Sequence, residues 1–210
     1  MMISFWKKMA VVASALCVSA SLYAQSATDQ LRQFVQEVRS ATGKFTQHTM
    51  DAQGQARPEQ AGEFAFQRPG KFKWQVLKPY EQLVLSDGKQ LYQYDPDLNQ
   101  LTQRRVDQAI GTSPAAILFG SGQLEQSFHL SDRPEQDGLL WLRATPKSKD
   151  AGFDYMDIGF QAGTPVQLVL LDAFGQQTRI TLSQLQTKVD LTADMFTFTP
   201  PADVDVVTLP

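Results

Sequence analysis

The stretch RPGKFKW, Arg68–Trp74, shows most clearly which kind of fold the chain adopts. From Lys71 to Val76, charged or polar residues alternate with apolar ones, which is the period of a half-buried β-strand. Phe72 and Trp74 therefore point to one face of a sheet, and the polar residues between them point to the other. Such large side chains can pack against the protein's own core or against a molecule that the protein binds.

Similar strand-like segments occupy most of the chain, and turn signals such as KPYE, SDGK and DPDLN separate them. Short links imply antiparallel hairpins, and ten or eleven such strands should curl into an up-and-down barrel, closed or partly open. The predicted strands are Lys44–Met50, Gly62–Gln67, Lys71–Leu77, Gln82–Ser86, Gln90–Tyr94, Gln100–Val106, Phe128–Asp132, Leu139–Ala144, Phe153–Phe160, Pro165–Asp172 and Gly175–Leu185.

Two segments are predicted to be helical and to plug the barrel, whose interior is wider than eight strands would enclose. The first is SATDQLRQFVQEVRSATG, with Thr28 as candidate cap and Gly43 as candidate stop. Its apolar stripe consists of Leu31, Phe34, Val35 and Val38. The second helix starts at Ser113–Pro114, where a capping residue precedes a first-turn proline, and continues to Phe119.

The N-terminus has the features of a secretory signal peptide, because two lysines precede a short apolar run and then small residues. We expect cleavage after Ala24, with Ala20 as the alternative, and a single domain over residues 25–210. Cys17 is the only cysteine and lacks the lipobox residues of a lipid-attachment site. The mature chain would then have 17 basic and 22 acidic residues, a net charge of −5, which disfavours nucleic acid as a partner.

The sequence shows no arrangement of residues typical of an enzyme. His48 and His129 lie on separate predicted strands, and no metal-binding or nucleophile motif surrounds either. We therefore predict no catalytic residues, no metal and no cofactor. The many aromatic residues on strands suit either an ordinary barrel core or a cavity lined for an apolar ligand, and composition alone leaves both possibilities open.

Arg68 is the most informative polar residue. It ends the segment GEFAFQR beside the Pro69–Gly70 turn. It could be a solvent-exposed arginine at the rim, or its planar set of donors could reach backbone carbonyls of a lid loop.

Four stretches taken together resemble a known family: FQRPGKFKW at 66–74, LVLSDGKQLYQYDPDLNQ at 83–100, TSPAAILF at 112–119 and FTFTPP at 196–201. In their order and spacing they are similar to the periplasmic lipoprotein carriers of the Lol pathway, the LolA family. The resemblance implies a mainly β fold: an incomplete antiparallel β-barrel of about 11 strands with an α-helical lid over an apolar cavity.

The resemblance also implies roles for individual residues. Arg68 would be the lid latch. The expected lining of the acyl-chain cavity is Phe66, Phe72, Trp74, Leu83, Leu85 and Tyr92. The expected lid helix includes Pro114, Ile117, Leu118 and Phe119.

A protein of this family would be a periplasmic chaperone that shields the acyl chains of lipoproteins. Its expected partners are acylated lipoproteins as cargo, an inner-membrane ABC-type transporter that releases them, and an outer-membrane lipoprotein receptor. We expect a monomer. The alternative is a periplasmic sensor or regulator of the same fold that binds lipids or lipoproteins, and a lipid hydrolase ranks third.

Overall fold

The computed structural model describes residues 25–106, 118, 124–148 and 151–209. Within these residues the α-helices are α1 (Ala27–Glu37) and a single turn, α2 (Leu124–Ser127), and Ala193–Phe196 form a 3-10 helix. None of the helices in this part of the chain is long and apolar enough to cross a membrane. The strands are β1 (Ser40–Met50), β2 (Gln60–Gln67), β3 (Lys71–Lys78), β4 (Gln82–Asp87), β5 (Gln90–Asp95), β6 (Gln100–Arg105), β7 (Phe128–Gln136), β8 (Leu139–Pro146), β9 (Phe153–Gln161), β10 (Thr164–Asp172), β11 (Gln177–Thr187) and β12 (Asp205–Thr208).

All of these strands belong to one sheet, in the order β12-β6-β5-β4-β3-β2-β1-β11-β10-β9-β8-β7. Because β12 and β7 lie at its two ends, the sheet is unclosed. The prediction of a mainly β, incomplete barrel is therefore confirmed. The predicted strands all occur, with ends that shift by a few residues.

The tail contains a strand that the sequence pattern did not predict. β12 pairs in parallel with β6, whereas all other pairs are antiparallel. After β11 the chain crosses the sheet and passes Pro200 and Pro201 before it pairs again. A chain that crosses over in this way has no hairpin to force an antiparallel arrangement.

One face of the sheet carries the main buried cluster, and we call it the inner face. The cluster joins strands that are distant in the sheet order, for example through Trp74 on β3 and Ile158 on β9. The sheet therefore curls around its own apolar side chains, as expected for a long antiparallel sheet. The opposite face is the outer face.

Helix α1 covers part of the inner face. Its buried residues Leu31 and Phe34 join the main cluster, and the helix contacts β7, β8, β9 and β10. The buried Gln30 side chain accepts a hydrogen bond from the backbone nitrogen of Gly163 in the β9–β10 turn (3.1 Å). The predicted first plug is thus present.

The ends of α1 differ from those predicted. Ser26, not Thr28, caps the helix, because its hydroxyl accepts a hydrogen bond from the Asp29 backbone nitrogen (3.1 Å). The helix ends at Glu37, and Gly43 lies inside β1. A Cβ atom at residue 43 would lie 2.5 Å from the Phe64 ring, so the glycine permits close packing in a strand and does not stop a helix.

The second predicted plug falls largely outside the described residues. This applies to Pro114, Ile117 and Phe119 of the expected lid helix. Leu118 is described, and its side chain is fully buried in the main cluster.

Candidate functional site

The inner face carries a stack of aromatic side chains. The Trp74 ring lies 3.7 Å from the Phe45 ring and 5.8 Å from the Phe64 ring, measured between centroids, and both pairs are nearly parallel. Phe66 and Phe72 are cross-strand partners on the same face, and both are buried. In this structure, therefore, the large side chains of β3 pack against the protein's own residues.

The acyl-chain cavity expected from the sequence did not include Phe45 and Phe64. The sequence signal that could have identified them lies on β1. Every second residue there, Ala41, Gly43 and Phe45, points to one face, and the two small residues leave room for large neighbours. The β1–β2 register then places Gly43 opposite Phe64.

The structure places three expected cavity residues elsewhere. Leu83 and Leu85 lie opposite the polar residues Gln75 and Lys73 of β3, and Tyr92 lies opposite Leu85. All three side chains are therefore on the outer face, so the expectation that they line the same cavity as Trp74 is wrong. Because Leu83, Val84 and Leu85 are all apolar, the sequence alone did not show which of them point inward. The pairing of Val84 with Trp74 places Val84 on the inner face and the two leucines on the outer face.

The C-terminal segment, residues 189–209, explains why apolar side chains occur on the outer face. Phe196 is only 1% exposed, and its 3-10 helix contacts β3 and β4. The Phe198 ring lies 5.9 Å from the Tyr92 ring and 5.3 Å from the Tyr94 ring. The outer face thus has an apolar layer of its own, which the C-terminal segment covers.

Arg68 is buried, with 9% of its surface exposed, although it follows the end of β2. Its backbone nitrogen donates to the Arg39 oxygen (2.8 Å), which fixes the start of the turn into β3. Its Nε donates to the backbone oxygen of Val38 (3.0 Å), just after α1, and its Nη2 donates to the backbone oxygen of Leu118 (2.5 Å). One guanidinium therefore connects the chain after α1 with the segment that contains Leu118.

The guanidinium of Arg68 also lies over aromatic rings. Its Cζ atom is 4.9 Å from the centroid of Phe66 and 5.9 Å from that of Phe34. Burial lowers the pKa of Arg68 to about 10, and the nearby positive charge of Arg39 contributes. This pKa still leaves the group charged at neutral pH, so its hydrogen bonds to carbonyl oxygens persist.

Other polar groups lie apart from this inner face. His48 is exposed on β1 and its Nε2 lies 3.1 Å from the Glu59 carboxylate, while His129 is exposed on β7.

A pocket of about 280 Å³ on the outer face is lined by residues that include Lys44, Glu63 and Met195. A second outer pocket, of about 360 Å³ and mostly polar, lies over β7–β11.

Solved structures show the same fold at low sequence identity. A LolA superfamily protein from Nitrosomonas europaea superposes with a TM-score of 0.50 at 11% identity, over 81% of this chain and 95% of that one. An uncharacterized conserved protein from Thermus thermophilus superposes with a TM-score of 0.52 at 16% identity, over 87% of this chain and 96% of that one.

Sequence comparison gives a closer relationship. The family described as "Outer membrane lipoprotein carrier protein LolA" matches residues 36–199. A protein from Bordetella avium called "Outer-membrane lipoprotein carrier protein" is 58% identical over 200 residues, which cover 95% of this chain and 96% of that relative. A protein of the same description from Cupriavidus pinatubonensis is 49% identical over 185 residues, or 87% of each chain. The chain therefore belongs to the LolA family of outer membrane lipoprotein carrier proteins.

Proposed function

We propose that this protein is a periplasmic chaperone that carries acylated lipoproteins, shields their acyl chains on its inner face and delivers them to the outer membrane. The observation that carries the proposal is the buried Arg68, which bridges two segments over an aromatic inner face through backbone carbonyls. The relatives described as outer-membrane lipoprotein carrier proteins support it.

The inner face has the chemistry that acyl chains require. Each methylene of an acyl chain gains about 0.8 kcal/mol on leaving water, so an acylated protein needs an apolar refuge to cross an aqueous compartment. Phe45, Phe66, Phe72 and Trp74 supply apolar surface on one continuous face. In the carrier they would exchange contacts with one another for contacts with cargo.

Arg68 suits a latch that opens. A hydrogen bond from a charged donor contributes about 1.5–3 kcal/mol, which holds two segments together without making the contact permanent. Because its partners are backbone oxygens, the contact does not depend on the side chains of the partner segment. Leu118 would then close on the inner face when no cargo is present.

The remaining parts of the proposal concern location and partners. Residues 1–24 would direct export, and residues 25–210 would act as one domain and as a monomer in the periplasm. Cargo would come from an inner-membrane ABC-type transporter and pass to an outer-membrane lipoprotein receptor.

The first experiment is intact-mass spectrometry of the protein purified gently from periplasm. A one-to-one complex with an acylated lipoprotein is expected. Recovery of phospholipid or glycolipid alone would contradict the carrier and favour a lipid-binding sensor. An esterase assay with a serine-directed inhibitor distinguishes the carrier and the sensor from a lipid hydrolase, because only the hydrolase would show activity that the inhibitor blocks.

The latch is tested with Arg68→Leu and its charge-retaining control, Arg68→Lys. The leucine variant should still load a lipoprotein but deliver much less of it to an acceptor, because the empty, closed state loses its hydrogen bonds. The lysine variant should recover part of the delivery, since an ammonium group replaces only part of the planar set of donors. Normal delivery by Arg68→Leu would rule out the latch.

A further inference from the structure

Arg104 on β6 lies on the inner face, although its position in the run Gln103–Arg105 suggests an exposed charged strand end. The register places Arg104 opposite Leu91 on β5, and Leu91 belongs to the main buried cluster. Leu91 lies opposite Ser86, and Ser86 lies opposite Phe72. Arg104 therefore ends a cross-strand row that begins among the aromatic residues of the proposed cargo site.

The guanidinium of Arg104 is half-buried, and burial lowers its pKa. In the part of the chain that the structure describes, no hydrogen bond or ion pair involves this side chain. Partial burial removes some of the water around a charged group, and an oxygen acceptor placed there by a ligand would compensate for that loss. Arg68, by contrast, has carbonyl oxygens as partners.

We infer that Arg104 binds the carbonyl oxygens of the linkages that attach acyl chains to the cargo. In this way it sets how far the chains extend along the inner face. The inference rests on the proposed carrier function. A guanidinium has five N–H donors and no acceptor, so the ligand atoms that it can bind are hydrogen-bond acceptors such as oxygen. Hydrocarbon chains have none, and the ester and amide carbonyls at their heads are the nearest oxygen atoms that such a cargo offers.

The position at the end of the row agrees with this role. Phe66 and Phe72 lie toward the middle of the sheet and would contact the chains, whereas β6 lies next to the sheet's end strand. Cargo bound along the row would meet aromatic carbon at one end, where Arg68 already donates to carbonyl oxygens, and the Arg104 guanidinium at the other. Arg104 is thus a positioning residue, distinct from the latch at Arg68.

The test compares Arg104→Gln with Arg105→Gln. Arg105 is the next residue, and the β5–β6 register places it opposite Gln90, on the outer face, so it is a matched control for loss of one positive charge. The probes are a synthetic diacyl lipopeptide with ester-linked chains and an analogue in which alkyl ethers replace the esters, so that the two probes carry the same charge. Affinity is measured by calorimetry, and thermal melting checks that each variant folds.

Arg104→Gln should bind the ester-linked lipopeptide about tenfold more weakly, which corresponds to loss of roughly one charged hydrogen bond. Arg105→Gln should bind it as the parent protein does. With the ether-linked analogue, the parent and Arg104→Gln should bind equally. Equal affinity of Arg104→Gln and parent for the ester-linked probe, or an equal loss for both probes, would overturn the inference.

A third probe, a phosphatidylglycerol with ether-linked chains and therefore no ester carbonyl, distinguishes phosphate from carbonyl oxygens. If Arg104→Gln lost affinity for that phospholipid alone, the ligand would be a lipid phosphate and the inference would be wrong. Failure of the parent protein to bind either lipopeptide would instead contradict the proposed function itself. The two failures are therefore separable in one set of titrations.

Discussion

At the scale of single residues, the sheet face to which a side chain points matters more than its chemical type. Trp74 and Leu85 are both buried on neighbouring strands, yet one faces the inner cluster and the other the outer layer. Arg68 and Arg104 are both cations on the inner side, but the described contacts supply carbonyl partners only to Arg68. These differences follow from pairing register, which a sequence pattern constrains only in part.

The aromatic stack allows a prediction at this scale. Trp74→Ala should lower the free energy of unfolding by about 3–5 kcal/mol, because it removes a large side chain that contacts Phe45 and Phe64. Urea denaturation measures the change. Phe174→Ala is the control, since Phe174 is 86% exposed and its loss should change the free energy by less than about 0.5 kcal/mol. A similar small effect at Trp74 would show that the stack contributes little in the empty protein.

At the scale of elements, the helix and the C-terminal segment cover opposite faces of one sheet. Helix α1 buries Leu31 and Phe34 on the inner face and is tied to β7, where the Asp132 carboxylate accepts from the backbone nitrogen (2.8 Å) and hydroxyl (3.0 Å) of Thr28. The C-terminal segment buries Phe196 on the outer face. A segment that the sequence pattern treats as a tail is therefore part of the fold.

The C-terminal segment gives a prediction at the scale of elements. Phe196→Ala should destabilise the protein by about 3–5 kcal/mol and speed hydrogen exchange in β12, because the segment loses its buried anchor. Leu209→Ala, an exposed change in the same segment, should do neither. Exchange in β12 that stayed as slow as in the parent would show that pairing with β6 alone holds the segment.

At the scale of the whole molecule, an unclosed sheet combines a stable centre with two less protected ends. β1 is hydrogen-bonded on both sides, to β2 and β11, whereas among the described strands β7 and β12 each have one neighbour. Widening such a sheet at its ends breaks no hydrogen bond between paired strands, so we expect room for cargo to be made there while the centre stays intact. A closed barrel would have to break hydrogen bonds to do the same.

Hydrogen exchange followed by mass spectrometry tests this distribution of stability. The backbone amides of β1 and β11 should exchange most slowly, and those of β7 and β12 most quickly, since an edge strand leaves half of its backbone groups without a strand partner. Bound cargo should slow exchange at Phe66 and Phe72 more than at the outer-face residue Leu83. Protection of β7 equal to that of β1 would contradict an open end at that strand.

Local patterns in the sequence were enough to identify β1 to β11, although not β12, because the alternation of apolar and polar residues is a property of neighbouring positions. They also placed Arg68 beside a turn, and the four stretches at 66–74, 83–100, 112–119 and 196–201 pointed to the family. The faces that Leu83, Leu85 and Tyr92 occupy, the pairing of β12 and the inward position of Arg104 became known only from the folded chain. Strand pairing joins residues that are distant in sequence, and a shift of one residue in register moves every side chain to the other face, so these features are not local.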